Sequence, residues 1–193
     1  MKKFVGVIAF ALLFLTVSVI AEEMQFTQKE TYIRQIFEHN YDYSPSGFFR
    51  AIKDGSINDV DLFLKSGMDA NTTYMKLPAI YFAIKNKQPQ VVDKLLANGV
   101  NANQKFMNQT PLVTAIMTKN SDTVDTLIKH GANVDEEVLG VRPLSYALAK
   151  KDSDIIQSLL DSGAMVTEDS LRKALRQKDE NIKNLVLRTY KKQ

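Results

Sequence analysis

The chain has 193 residues, of which 45% are hydrophobic and 24% charged, with a formal net charge of +3. This composition is that of a folded globular protein and excludes a largely disordered chain. Cysteine is missing from the sequence, which excludes thiol catalysis, disulfide bonds and cysteine-based zinc sites.

The first 21 residues have the pattern of a secretory signal peptide. Lys2 and Lys3 precede an apolar run over residues 4–20, and Ala21 is followed by the acidic Glu22. The run has about 17 residues, fewer than the roughly 20 that a membrane-spanning helix needs. We therefore expect cleavage between Ala21 and Glu22 and export to the periplasm. A secreted protein, or one held at the inner membrane by an uncleaved leader, is the alternative.

Loss of this leader changes the charge balance. It removes two lysines, which leaves 23 basic residues (25 − 2) against 22 acidic ones and a net charge of +1. A nearly neutral chain with no basic cluster along its sequence lacks the electrostatic pattern of a nucleic-acid binder. We expect no nucleic-acid partner.

Residues 22–45 are predicted to form an N-terminal capping helix and a linker. Tyr32, Ile33, Ile36 and Phe37 recur at helical spacing, so they are expected to face the core of the next unit. The linker contains three further residues that we expect to pack against this cap. These are Tyr41, Tyr43 and Pro45.

From residue 46 onward the sequence repeats with a constant period. Two series of small residues carry it, each with members 32 positions apart (99 − 67): Gly67, Gly99, Gly131 and Gly163, and Ala51, Ala83, Ala115 and Ala147. Apolar residues stand seven, four and three positions before each of these glycines, as on one face of a short helix. A glycine at that place favours a left-handed helix end. Each unit therefore reads as helix, tight turn, helix, glycine stop and extended loop.

Two of these units resemble the ankyrin-repeat family. Thr110-Pro111-Leu112 with Ala115 is similar to its Thr-Pro-Leu-His-x-Ala signature, and residues 99–103 (Gly-Val-Asn-Ala-Asn) are similar to its Gly-Ala-Asp-Val-Asn segment. The resemblance implies an all-α solenoid of stacked helix–turn–helix units with short finger loops, between an N-terminal capping helix and a C-terminal capping helix pair. The ankyrin-repeat domain is expected over 46–193, with units of about 46–76, 77–109, 110–141 and 142–166 and a cap over 167–190.

Residues suited to catalysis or metal binding are few. His39 and His130 are the two histidines, and neither has a partner at ligand spacing. The acidic segment 135–137 lacks the spaced pattern of a calcium loop, so we expect it to be solvated. We predict no catalytic residue, no metal site and no cofactor, and hence a protein that is not an enzyme.

The resemblance implies a concave protein-binding face made of the first helices and the fingers. Apolar pairs recur in the predicted fingers: Tyr74-Met75, Phe106-Met107 and Val138-Leu139. Either these pairs pack inside the fingers, or they form an exposed apolar stripe for a partner, with one residue of each pair buried and the other displayed. Further candidates stand at the ends of the first helices: Lys85, Asn86, Met117 and Thr118.

Leader and fold together predict a monomeric periplasmic binding protein. The first hypothesis is an inhibitor or immunity protein that blocks an exported hydrolase or toxin. The alternatives are a scaffold or stabilising partner of a resident periplasmic enzyme, and a secreted effector that binds host proteins. Membrane contact is expected only through an uncleaved leader.

Overall fold

The computed structural model describes residues 27–192. The predicted leader over 1–21, its cleavage between Ala21 and Glu22, and the first residues of the predicted cap lie outside this range. Within the range the chain is helical, with one two-stranded sheet. The helices are α1 (residues 27–38), α2 (Pro45–Asp54), α3 (Ile57–Lys65), α4 (Ala79–Lys85), α5 (Pro89–Ala97), α6 (Pro111–Met117), α7 (Ser121–Lys129), α8 (Pro143–Lys150), α9 (Ser153–Asp161), α10 (Glu168–Leu175) and α11 (Glu180–Tyr190), and the strands are β1 (Thr73–Tyr74) and β2 (Leu77–Pro78).

From α2 onward the helices form five antiparallel pairs, α2–α3 to α10–α11. The first helix of each pair packs on the first helices of the neighbouring pairs, and the second helices stack in the same way. All four alanines of the repeated series are fully buried, as is Ala174 in α10. Their small side chains let neighbouring helices approach closely. The predicted all-α solenoid is confirmed, and none of the helices within residues 27–192 is long and apolar enough to span a membrane.

The repeated glycines end the second helices as expected. Gly67, Gly99, Gly131 and Gly163 have φ values between 82° and 94°, the left-handed region that glycine enters without steric cost. After each one, the next amide bonds back across the helix end, as from Met68 N–H to the Phe63 carbonyl at 2.9 Å. This pair of features is a Schellman ending, which turns the chain sharply out of each second helix and into the finger.

The N-terminal cap rests on the first pair through fewer side chains than the sequence predicts. Ile36 is fully buried and Tyr32 and Ile33 are half-buried, but Phe37 is 57% exposed. The prediction that Phe37 faces the core is therefore wrong. Helix α1 ends at residue 38, and only a narrow strip of its last turns meets the first pair.

The linker after α1 packs on the first helix pair, whereas the sequence predicts packing against the cap. The Tyr43 ring stacks on Phe63 with centroids 6.0 Å apart, and the Tyr41 ring meets Phe63 edge-on at 6.3 Å. The Tyr41 hydroxyl donates to the Asp54 carboxylate, and the Tyr43 hydroxyl donates to the Ser66 carbonyl. These contacts join the cap to both helices of the first pair.

Both histidines take part in contacts between helices. His39 Nδ1 lies 2.5 Å from Asp59 Oδ1, which links the end of α1 to α3. His130 Nε2 lies 2.8 Å from Asp93 Oδ1, which links α7 to α5. Each histidine thus makes a pairwise contact between helices, and residues 27–192 contain no group of three or more potential metal ligands.

Candidate binding surface

The three fingers are short β-hairpins. In the first, β1 pairs with β2 and Tyr74 stands opposite Leu77. The next two contain single bridges, Phe106 with Gln109 and Val138 with Val141. In each hairpin two residues form the tip: Met75-Lys76, Met107-Asn108 and Leu139-Gly140. We call Met75, Met107 and Leu139 the fingertip residues.

The fingertip residues occupy a backbone conformation that disfavours them. All six tip residues have φ between 48° and 73°, and two successive positive φ values mark a type I′ turn, in which Asn-Gly is the preferred pair. A side chain other than Gly, Asn or Asp in this region costs roughly 1–2 kcal/mol. Met75, Met107 and Leu139 stand where asparagine would fit best, so local turn preference does not explain their presence.

The two residues of each predicted apolar pair point in different directions. Met75, Met107 and Leu139 are 84%, 81% and 82% exposed. Their neighbours differ: the Tyr74 ring lies 5.5 Å from Phe49 but is 38% exposed, the Phe106 ring lies 5.3 Å from Tyr81, and Val138 is 2% exposed. The expectation that one residue is buried and the other displayed holds for Val138-Leu139 and in part for Phe106-Met107, where Phe106 is half-buried, but not for Tyr74-Met75, in which both residues are exposed. Binding through the displayed row stays a prediction.

Hydrogen bonds tie neighbouring fingers together. The Asn103 side chain accepts from Asn133 N–H at 2.7 Å and donates to the Gly131 carbonyl at 3.0 Å. Asp135 accepts from Met165 N–H at 3.0 Å in the same way one unit later. These bonds join the second finger to the third, and the third finger to the segment that precedes α10.

The acidic segment 135–137 is paired with cations, and the expectation of a merely solvated loop is wrong. Lys105 Nζ in the second finger lies 2.7 Å from Glu136. Arg142 lies 3.4 Å from both Asp135 and Glu137. The carboxylates therefore link two fingers and the start of α8.

This arrangement is matched by a known family. A family model described as ankyrin repeats (3 copies) matches residues 80–170. Residues 80–170 of this chain are ankyrin repeats. A comparison with curated proteins gave no significant match. In this family the repeats bind other proteins, so the exposed side of the first helices and fingers of the ankyrin repeats is the candidate binding surface.

The four candidates at the ends of the inner ankyrin helices, the first helices of the pairs, fall into two kinds. Lys85 is exposed and Met117 is 42% exposed. Asn86 and Thr118 are half-buried, and their side chains donate to the carbonyls of Phe82 and Ala115 in their own helices. Asn86 and Thr118 thus help to end helices, and Lys85 and Met117 present their side chains outward.

A groove lies between the first inner helix, α2, and the first finger. Its volume is about 360 Å³. Most of its lining is apolar, with cations at one side: Phe49, Tyr74, Met75, Leu77, Phe82, Ser46, Arg50 and Lys53. Sequence reasoning missed this groove because its lining combines both ends of the first unit (46–76) with Leu77 and Phe82 of the second.

Tyr81 is a second feature that sequence reasoning missed. Its buried hydroxyl accepts from Phe106 N–H at 3.0 Å and lies 2.7 Å from the Gln104 carbonyl and 2.5 Å from the Gln109 carbonyl. Burial raises the pKa of Tyr81 to about 12. The hydroxyl therefore orders both arms of the Met107 finger from below. The equivalent position of the next repeat is Val113, which has no hydroxyl. This difference between repeats was the one signal in the sequence that could have drawn attention to Tyr81.

Tyr81→Phe is expected to destabilise the protein by about 1–2 kcal/mol at neutral pH, because it removes the buried hydroxyl that hydrogen-bonds the backbone of the Met107 finger. The unfolded chain releases the tyrosine proton near pH 10, whereas the folded chain holds it to about pH 12. This part of the stability is complete below pH 10 and is lost as the pH rises from 10 towards 12. Urea unfolding at pH 9 and pH 11 should show a decline about 1 kcal/mol larger for the wild type than for the variant. Equal declines would contradict this role.

Proposed function

We propose that this ankyrin-repeat protein is a periplasmic inhibitor of the immunity or self-protection type, which binds an exported hydrolase or toxin and blocks its active site. Ankyrin repeats are protein–protein interaction modules. The observation that carries the proposal is the row of exposed fingertip residues.

The fingertip row suits the recognition of a folded protein surface. Neighbouring packed helices lie about 8–10 Å apart, so three tips on successive repeats span about 20 Å, a length that fits a standard interface of about 800 Å² per partner. Methionine is flexible and polarisable and adapts to irregular apolar surfaces. Apolar side chains held outward in a disfavoured backbone conformation are more readily explained by binding than by folding.

The position of the tips supports inhibition over a loose tether. Hydrogen bonds through Asn103 and the ion pair of Lys105 with Glu136 join the second and third fingers, so their tips are presented with little ordering left to do on binding, which favours affinity. Such a rigid row suits the occlusion of a cleft in a partner. The leader pattern of residues 1–21 supports a partner that is itself exported.

The experiment uses the mature chain, residues 22–193, as a tagged bait in the periplasmic extract of its source. Each retained protein is then purified, and its hydrolytic or toxic activity is titrated with the untagged chain. Loss of activity that is complete near one equivalent supports the proposal. A retained enzyme that stays active, or that unfolds at a higher temperature, replaces it with the scaffold function.

A further inference from the structure

In three successive repeats, the turn between the two helices carries a lysine in the same place. Lys87, Lys119 and Lys151 stand four residues after the buried alanine of their repeats and have φ values of 56°, 52° and 55°. Gly55 takes this position in the first repeat with φ 70°. Lys178 follows Ala174 at the same distance in the C-terminal pair. Glycine or asparagine would fit the left-handed turns better than lysine.

Further cations flank these lysines along the same edge of the solenoid. We call the whole set the basic ridge. It consists of Lys53, Lys85, Lys87, Lys119, Lys150, Lys151, Arg176 and Lys178. The sequence predicts no basic cluster because these residues are spread over 126 positions (178 − 53 + 1). Stacking brings successive turns to about 10 Å from one another.

None of the ridge cations forms an ion pair within residues 27–192. The second helices of the pairs, which we call the outer helices, differ in this respect. There Lys65 lies 2.7 Å from Asp61 and Lys183 lies 2.6 Å from Glu180. Lysines in disfavoured turns and without internal ion pairs contribute little to the fold. Their charge is available to an external anion.

Acidic residues near the basic ridge favour a narrow anionic partner over a broad one. Directly behind it, the outer helices begin with exposed acids, Asp122, Asp154 and Glu180. A broad anionic surface, such as a membrane or a nucleic-acid duplex, would cover both rows and be repelled by the second. A narrow acidic strip that approaches from the inner helices meets mainly cations, with Asp54 as the acid at the end of α2, and lies next to the exposed Met117 side chain.

We propose that the basic ridge binds an acidic polypeptide segment of the protein seated on the inner ankyrin helices. This inference rests on the proposed binding function, because it places the ridge at one border of that surface and the fingertip residues at the other. An inner helix of seven or eight residues is about 10–12 Å long, so one partner reaches both borders. The partner should then carry an acidic edge beside an apolar patch.

The test is the triple variant Lys87→Asn, Lys119→Asn and Lys151→Asn. Asparagine tolerates the left-handed turn, so the variant loses three charges without loss of the fold. The matched control removes three charges from outer helices: Lys65→Gln, Lys129→Gln and Lys183→Gln. The probe is poly-L-glutamate at low ionic strength, with phosphatidylglycerol vesicles and heparin in parallel. We expect the ridge variant to bind poly-L-glutamate about tenfold more weakly than the wild type, and the control to stay within about twofold of it.

Equal loss in the ridge variant and the control would overturn the inference, as would a wild type that does not bind poly-L-glutamate. Tighter ridge-dependent binding to the vesicles or to heparin would overturn it in favour of a lipid or a polysaccharide. A variant with altered fingertip residues should bind poly-L-glutamate like the wild type. The ridge inference can therefore be refuted while the inhibitor function stands. Conversely, the inhibitor function can be refuted while the ridge still binds poly-L-glutamate.

Discussion

Replacement of all three fingertip residues by asparagine is expected to weaken binding of the captured partner about 100-fold. Each exposed apolar anchor of an interface contributes on the order of 1–2 kcal/mol or more, and the contributions do not simply add. The variant Met75→Asn, Met107→Asn and Leu139→Asn removes the displayed side chains and supplies the residue that type I′ turns prefer. Its thermal stability should therefore equal or exceed that of the wild type. Calorimetric titration of the partner measures the first effect, and thermal unfolding measures the second.

The control for this prediction is Phe37→Asn. Phe37 is 57% exposed but lies on α1, away from the fingers, so its replacement should change the affinity less than about twofold. If the fingertip variant bound as tightly as the wild type, the partner would occupy another surface, and the apolar tips would have no part in recognition. If it lost both binding and stability, the tips would be packing residues.

Phe63→Ala is expected to lower the free energy of unfolding by about 3–5 kcal/mol, the usual cost of removing a buried phenylalanine. The Phe63 ring is fully buried and contacts the rings of Tyr41, Tyr43 and Phe48, whose centroids are 6.3, 6.0 and 5.5 Å away. Two of these three rings belong to the linker. The substitution should therefore loosen the N-terminal cap first.

Hydrogen exchange resolves the two parts of this expectation. Stability in a stacked array depends mainly on each unit and its nearest neighbours. Amides in residues 27–38 should lose more protection than those in α7, which lies two repeats away from α3. Phe37→Ala, at an exposed site on the same cap, should cost less than about 0.5 kcal/mol. An equal loss of protection in α1 and α7 would show that the protein unfolds as one unit and would contradict the nearest-neighbour account.

Much of the fold was predictable because the interactions that build it are local. A glycine stop, an apolar face and a buried alanine all act within one unit, and the next unit repeats them at the same interval. The C-terminal pair shows the limit of that rule, since Ala174 continues the buried alanine series at a shorter distance from Ala147 than the period of the repeats. The shorter step reflects the lack of a hairpin before α10.

The candidate site was predictable in part. The apolar pairs of the fingers follow the period of the repeats, so their existence was visible in the sequence. Which residue of each pair meets solvent depends on the hairpin register, because a shift by one residue turns every side chain to the opposite face. The contact of Tyr81 with the carbonyls of residues 104 and 109 and the exposure of Phe37 likewise depend on neighbouring units.

By itself, then, the sequence determined a stack of helical pairs with small residues where helices meet, since those preferences belong to single helices and turns. Only the tertiary structure decided what the stack presents to solvent. It aligned Met75, Met107 and Leu139 into one row and gathered Lys87, Lys119 and Lys151 on one edge. Residues so far apart in the chain become neighbours only when separate units pack against each other, and the pattern within one unit carries no information on the surface that several units share.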